Sequence, residues 1–143
     1  MICTFFGHRD SPEHIRQRLS ESIQKLIEEE GVSTFYVGNQ GNFDRMVLST
    51  LRALVKVYPT IRYYVVVPYL NTTQSGLEDV SIFPECLESV MPKFAIDKRN
   101  RWMPDRADFV ISYVCHKVGG AAFYQDLAIK RGKNVLNLAW ENR

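Results

Sequence analysis

The feature that most constrains this chain is the alternation of short apolar runs with longer stretches whose apolar residues recur at helical spacing. Ile2–Phe6, Thr34–Val37, Tyr63–Val67, Phe109–Val114 and Val135–Leu138 have the length and composition of strands. Between them, Ile15, Leu19, Ile23, Leu26 and Ile27 fall on one helical face, and Phe43, Val47, Leu51, Leu54 and Val55 on another. Gly119–Arg131, with Leu127 and Ala128 inward, predicts a further helix. Strands alternating with helices make βαβ units, hence a sheet covered on both faces. The fold predicted for residues 1–143 is one α/β domain, a Rossmann-like three-layer α/β/α sandwich with a mostly parallel sheet.

Turn residues punctuate this pattern. Ser11-Pro12-Glu13 predicts a helix start, with the serine as cap and the proline in the first turn. Gly31 and Gly132 are placed to end helices, and Tyr58-Pro59 ends the one between them. Tyr69–Val80 is polar and reads as a loop, Pro84–Val90 as a short helix, Phe94–Ile96 as a short strand, and Lys98–Arg106 as a basic turn or helix.

With 45% hydrophobic residues, a 143-residue chain can bury a core without disulfides or metals. The net charge of +2, from 18 basic and 16 acidic residues, is too balanced for a nucleic-acid scaffold or a polybasic membrane binder. No apolar run is long enough for a membrane span, and Gly7-His8-Arg9-Asp10 interrupts the apolar N-terminus too early for a signal peptide. Cys3, Cys86 and Cys115 are odd in number and widely spaced. That argues against a disulfide framework or a structural zinc site and for a reducing cytoplasm. No cofactor and no metal are expected.

Right-handed crossovers place every strand-to-helix loop at one edge of the sheet, where such folds bind ligands. Three loops stand out there. In the last, Cys115–Gly120, the Gly119-Gly120 pair lies between a strand and a helix. Glycine lets a backbone approach a ligand closely, and the free amides of a helix start attract anions, which points to phosphate. The bland alternative is a turn needing positive φ. Gly38 and Gly41 bracket a second such loop, in which Asn39 and Asn42 either contact a ligand or stabilise the turn. In the first loop, Arg9 suits bidentate recognition of phosphate or carboxylate, or else a surface ion pair. His8 is an acid or base near neutral pH, or a loop hydrogen-bond partner. Arg99-Asn100-Arg101-Trp102-Met103 reads either as a phosphate-contacting and base-stacking segment or as a charged helix face with Trp102 or Met103 in the core. Asp10, Asp44 and Asp126 are the carboxylates nearest these loops, with capping the default role for Asp44. Cys115 reads as an inert strand-end thiol. Neither a full dinucleotide-binding glycine fingerprint nor a P-loop is present.

Several of these segments resemble one family. Cys3–Arg9 is similar to the "TGHR" opening of a small group of bacterial proteins, with Phe6 in place of the threonine. Arg99–Ile111, the Gly38–Asp44 loop, and Gly119-Gly120-Ala121 followed by Ala128 and Gly132-Lys133 resemble its other motifs, in the same order. That group falls in the SLOG superfamily, with the cytokinin-activating phosphoribohydrolases and the DNA-processing protein DprA. The resemblance implies a Rossmann-like fold, a nucleotide-type ligand and a homodimer. It implies ligand contacts at Gly7, His8, Arg9, Gly38, Asn39, Gly41, Arg99, Asn100, Gly119, Gly120 and Ala121. The phosphoribohydrolases carry Pro-Gly-Gly-x-Gly-Thr-x-x-Glu. Val118–Asp126 here keeps the glycine pair, lacks the third glycine and the threonine, and has Asp126 where the glutamate stands. The phosphate-binding half is retained better than the catalytic half.

The leading expectation is therefore a domain that binds or senses a nucleotide or nucleotide-derived phosphorylated ligand. The alternative is hydrolysis of a nucleoside 5′-monophosphate at its N-glycosidic bond, with Asp126 or Asp44 supplying the carboxylate. A second alternative, single-stranded nucleic-acid binding by analogy with DprA, is weakened by the balanced charge.

Overall fold

The computed structural model describes residues 1–70 and 79–140. The expected parallel architecture is present: among the described residues, six strands, all parallel, form a single sheet. In chain order the elements are β1 (Ile2–Gly7), α1 (Arg16–Glu30), β2 (Thr34–Val37), α2 (Gly41–Val57), β3 (Arg62–Val66) and β4 (Val80–Ile82). They continue with α3 (Pro92–Arg106), β5 (Phe109–Tyr113), α4 (Gly120–Lys130) and β6 (Asn134–Asn137). Among the described residues no helix is long and apolar enough to cross a membrane.

The period-two alternation of β1 divides the core. Cys3 and Phe5 face a cluster with Leu19 and Ile23 of α1 and Phe43, Met46, Val47 and Leu51 of α2. Phe6 faces the opposite way, onto Met103 of α3 and Tyr124 and Ala128 of α4. Two helices thus cover each face. Strand order is β4-β3-β2-β1-β5-β6. The chain winds outward from β1 through β4, then returns along α3 to lay β5 against the other side of β1. Strand order therefore reverses between β1 and β5, and a crevice opens at their carboxyl ends. The register sets Gly7 beside Tyr113 there.

Local structure follows the turn chemistry in most places. Gly31 ends α1 at φ 73°, donating its amide to the Leu26 carbonyl. Gly132 takes φ 77° after α4, and Tyr58 ends α2. Three expectations are corrected. Ser11 does not cap a helix. Its hydroxyl donates to the His8 carbonyl at 2.7 Å, and a 3-10 turn over Glu13–Ile15 leads into α1. Phe94–Ile96 is not a strand but part of α3, which starts at Pro92 and turns Ala95, Arg99 and Met103 inward at every fourth position. Pro84–Val90 holds only a 3-10 turn, Glu85–Leu87. The segment read as a loop over Tyr69–Val80 lies mostly outside the described residues, and its last residue opens the edge strand β4.

Gly7 lets α2 close onto the end of β1. A Cβ there would lie 2.1 Å from Phe43 Cγ, far inside contact distance. Overpacking a dense core typically costs about 1–3 kcal/mol. Gly7→Ala should lower the unfolding free energy measured in urea by an amount in that range, whereas Gly120→Ala, whose Cβ would meet only Tyr124 Cε2 at 3.9 Å, should change it little.

Candidate functional site

A cavity of about 370 Å³ occupies the crevice where strand order reverses. The end of β1 and its loop contribute Gly7, His8 and Arg9, and the β2–α2 connection contributes Gly38, Gln40 and Asp44. Arg99 and Asn100 come from α3, and Gly120, Ala121 and Tyr124 from α4. Phe5, Phe6, Ile96 and Met103 supply its apolar wall. Larger clefts, of about 520 and 750 Å³, lie beside Arg52 and Tyr63 and along α3 beside Trp102.

Arg99 dominates the electrostatics. It is 1% exposed, and its guanidinium remains charged in any protein environment. Nη1 donates to the Val66 carbonyl at 2.7 Å and to Asn39 Oδ1 at 3.0 Å, while Nε donates to Asn100 Oδ1 at 2.7 Å. Among the described residues, Nη2 has no hydrogen-bond acceptor and no carboxylate lies within ion-pair distance of the group. Burial pushes its pKa down, and the more distant Asp44 opposes this. A desolvated cation without a close counter-ion is costly.

Asp44 is the carboxylate of the cavity. Its Oδ2 accepts the Gln40 amide at 2.8 Å, so the side chain caps the start of α2, as its position near that helix start suggests. Burial raises its pKa to about 6, against the lowering effects of the Gln40 amide, Arg99 and Arg9. Gly38 makes room for this pair, since a Cβ there would lie 2.8 Å from Asp44 Oδ2 and 3.6 Å from Arg99 Cζ. Arg9 is exposed, and among the described residues its guanidinium makes one hydrogen bond, Nη2 to Gln40 Oε1 at 3.2 Å.

At the opposite wall, α4 begins without a side-chain cap. Gly119 holds φ 108° and ψ 174°, a conformation essentially restricted to glycine. Among the described residues the amides of Gly120, Ala121 and Ala122 meet no protein acceptor. Those of Gly120 and Ala121 belong to residues lining the cavity. Tyr124 stacks on Phe6 with ring centroids 5.4 Å apart and donates its hydroxyl to Asp97 at 2.6 Å. Burial and Asp97 raise its pKa to about 12, so the phenol stays protonated.

The remaining sequence candidates divide. Asn39 supports Arg99 and does not line the cavity. Gly41, at φ 86°, lets the start of α2 pack against Arg9, and Asn42 donates to the Ser11 carbonyl and Glu13. Gly119 shapes the turn, while Gly120 and Ala121 reach the cavity. Asp126 and Asp10 are exposed and are not among its lining residues. Neighbouring Gln125 takes the inward position on α4 and pairs with Ser112. Trp102 packs on Tyr36 and under Arg106, away from the cavity, and Met103 is core. Tyr124 and Gln40 line the site without having been singled out in the sequence.

His8 closes the rim. Its Nε2 accepts the Cys115 amide at 3.0 Å, the loop hydrogen bond weighed for it above. Burial, then the nearby His116, lower its pKa, against Asp10. The Cys115 Sγ lies 3.8 Å from His116 Nε2. Cys3, Cys86 and Cys115 are all free thiols.

The Asp44 shift has a measurable sign. Between about 4 and about 6 the folded chain keeps a proton that the unfolded chain has lost, so this group reduces stability as pH rises. Asp44→Asn keeps the oxygen that accepts the Gln40 amide. Its urea midpoint should match wild type at low pH and exceed it once pH passes about 6. Parallel profiles would contradict the burial of this carboxyl. No protein-family model and no curated protein matches the chain.

Proposed function

We propose that the domain binds a nucleotide or nucleotide-derived phosphorylated ligand in this cavity, as members of the SLOG superfamily do. The observation that carries the reading is Arg99, a buried guanidinium in the cavity lining that, among the described residues, has Nη2 donors left over and no carboxylate at ion-pair distance. Opposite it stand the free amides that begin α4, a second anion-seeking group. Arg9 and Arg99 against Asp44 leave one net positive charge in the lining. A phosphoryl group has the charge and the acceptor oxygens to satisfy both walls at once. The apolar wall of Phe5, Phe6, Ile96 and Met103 suits the remainder of a nucleoside-sized molecule. The same reading takes the protein as cytoplasmic and homodimeric, the first on its free thiols and the second on the superfamily resemblance.

A second reading, cleavage of the N-glycosidic bond of such a nucleotide, is favoured by one observation. Asp44 is a carboxylate within the lining and has a pKa of about 6, suited to holding or releasing a proton near neutral pH. It would stabilise positive charge at the anomeric carbon or activate water. Asp126 is exposed and is not among the residues lining the cavity.

Calorimetric titration distinguishes these readings. Nucleoside 5′-monophosphates should bind at least about tenfold more tightly than the matching nucleosides, the effect of one or two charge-assisted hydrogen bonds. Ala121→Asp puts an acid in the first turn of α4, where it favours the helix, and should abolish this preference without loss of stability. Equal affinity for nucleoside and nucleotide would overturn the binding proposal. Release of free base that disappears in Asp44→Asn would establish the hydrolytic reading, and binding without release would eliminate it.

A further inference from the structure

We infer that His8, Cys115 and His116 form a site for a thiophilic divalent transition ion of the zinc class, a function separate from nucleotide binding. The ligand atoms of these three side chains all lie within 4.8 Å of one another. They come together through topology. β1 and β5 are parallel neighbours, with Gly7 beside Tyr113, so the loops leaving the two strands emerge side by side. The Cys115 amide donates to His8 Nε2 across this gap at 3.0 Å and holds the loops together. The chain bends at His116, which brings successive side chains to one side, with Cys115 Sγ and His116 Nε2 3.8 Å apart.

The chemistry of the set is specific. One thiolate and two imidazoles are borderline-soft ligands that suit zinc or cobalt and not magnesium or calcium. In a tetrahedral zinc centre, ligand atoms stand roughly 3.3–3.8 Å apart, as follows from metal–ligand bonds of about 2.0–2.3 Å. The Cys115–His116 pair already has this separation, and His8 needs to close by at most about 1.5 Å. Cys115 and His116 are exposed, so the ion has a path in. On binding, the Cys115 thiol releases its proton to solvent and the sulfur lone pair forms the metal bond. Three protein ligands leave a fourth position for water or a ligand oxygen. Because His8 also lines the nucleotide cavity, that position stands at its rim.

The hydrogen-bond geometry supplies an internal marker. A neutral imidazole has one lone pair and one N–H. If the ion takes His8 Nε2, it displaces the Cys115 amide. If it takes Nδ1, Nε2 carries the proton and can no longer accept that amide. Either way the Cys115 amide loses its present partner.

The test is titration of chelator-treated protein with cobalt(II), with no nucleotide present. The expected result is one cobalt per chain, a thiolate-to-cobalt charge-transfer band and the intense d–d bands of a four-coordinate centre, all displaced by zinc. Cys115→Ser should remove the charge-transfer band, and His116→Ala should weaken binding at least tenfold. Cys86→Ser, which alters the other exposed thiol, should change neither. Zinc should shift the Cys115 amide resonance of the wild-type chain, a readout that needs no variant to fold. Absence of the charge-transfer band, its survival in Cys115→Ser, its dependence on Cys86, or an unmoved Cys115 amide would each overturn the site. Since no nucleotide is used, failure here leaves the nucleotide proposal standing, and the reverse holds equally.

Discussion

An arginine buried on the inner face of a helix is the constraint around which this site is arranged. Arg99 occupies a core position of α3 between Ala95 and Met103, where an apolar residue would ordinarily stand. The protein tolerates it by directing three of its donors to the Val66 carbonyl and to the amide side chains of Asn39 and Asn100. Neutral acceptors satisfy hydrogen-bonding capacity but leave the charge uncompensated in a poorly solvated place. Asp44 attracts it from beyond ion-pair distance, and its own carboxyl is committed to the start of α2. A charge held in this way stabilises an anionic guest more than it stabilises the empty fold, which is the behaviour expected of a binding residue.

The surrounding backbone is shaped to keep that charge in place. Gly38 leaves space for Asp44 and Arg99 to approach, Gly41 seats the start of α2 on the Arg9 loop, and Gly7 lets Phe43 press against the end of β1. Gly7 and Gly38 act by steric absence, and Gly41 adds to that a positive φ of 86°. Gly119 acts differently. A Cβ there would meet nothing within 4 Å, and what it supplies is the backbone angle at which the chain enters α4, whose first residues line the cavity. Motifs that look alike along the chain thus divide into packing glycines at one wall and a conformational glycine at the other.

Much of this was legible in the sequence, and what was hidden has physical reasons. The apolar runs predict five of the six strands, because strands covered on both faces carry continuous hydrophobicity. β4 is a three-residue edge strand with little burial and no such signal. α3 was obscured because Arg99 interrupts its inward stripe, so this buried arginine itself erased the periodicity that would have revealed the helix. Asp126 stands where the resemblance placed a glutamate, yet one step along a helix turns a side chain by about 100°, and Gln125 holds the inward direction here. Trp102 looked like a base-stacking group beside two arginines, but tertiary packing places it on Tyr36. The grouping of His8 with Cys115 and His116 joins residues 107 positions apart, a proximity created by strand order and invisible to spacing along the chain.

The central claim is that an anion completes the coordination of Arg99. A crystal structure grown with a nucleoside 5′-monophosphate tests it most directly. The account predicts phosphate oxygens within hydrogen-bond distance of Arg99 Nη2 and of the Gly120 and Ala121 amides. A phosphate bound elsewhere, or a crevice closed by the protein's own side chains with Arg99 Nη2 satisfied internally, would contradict it.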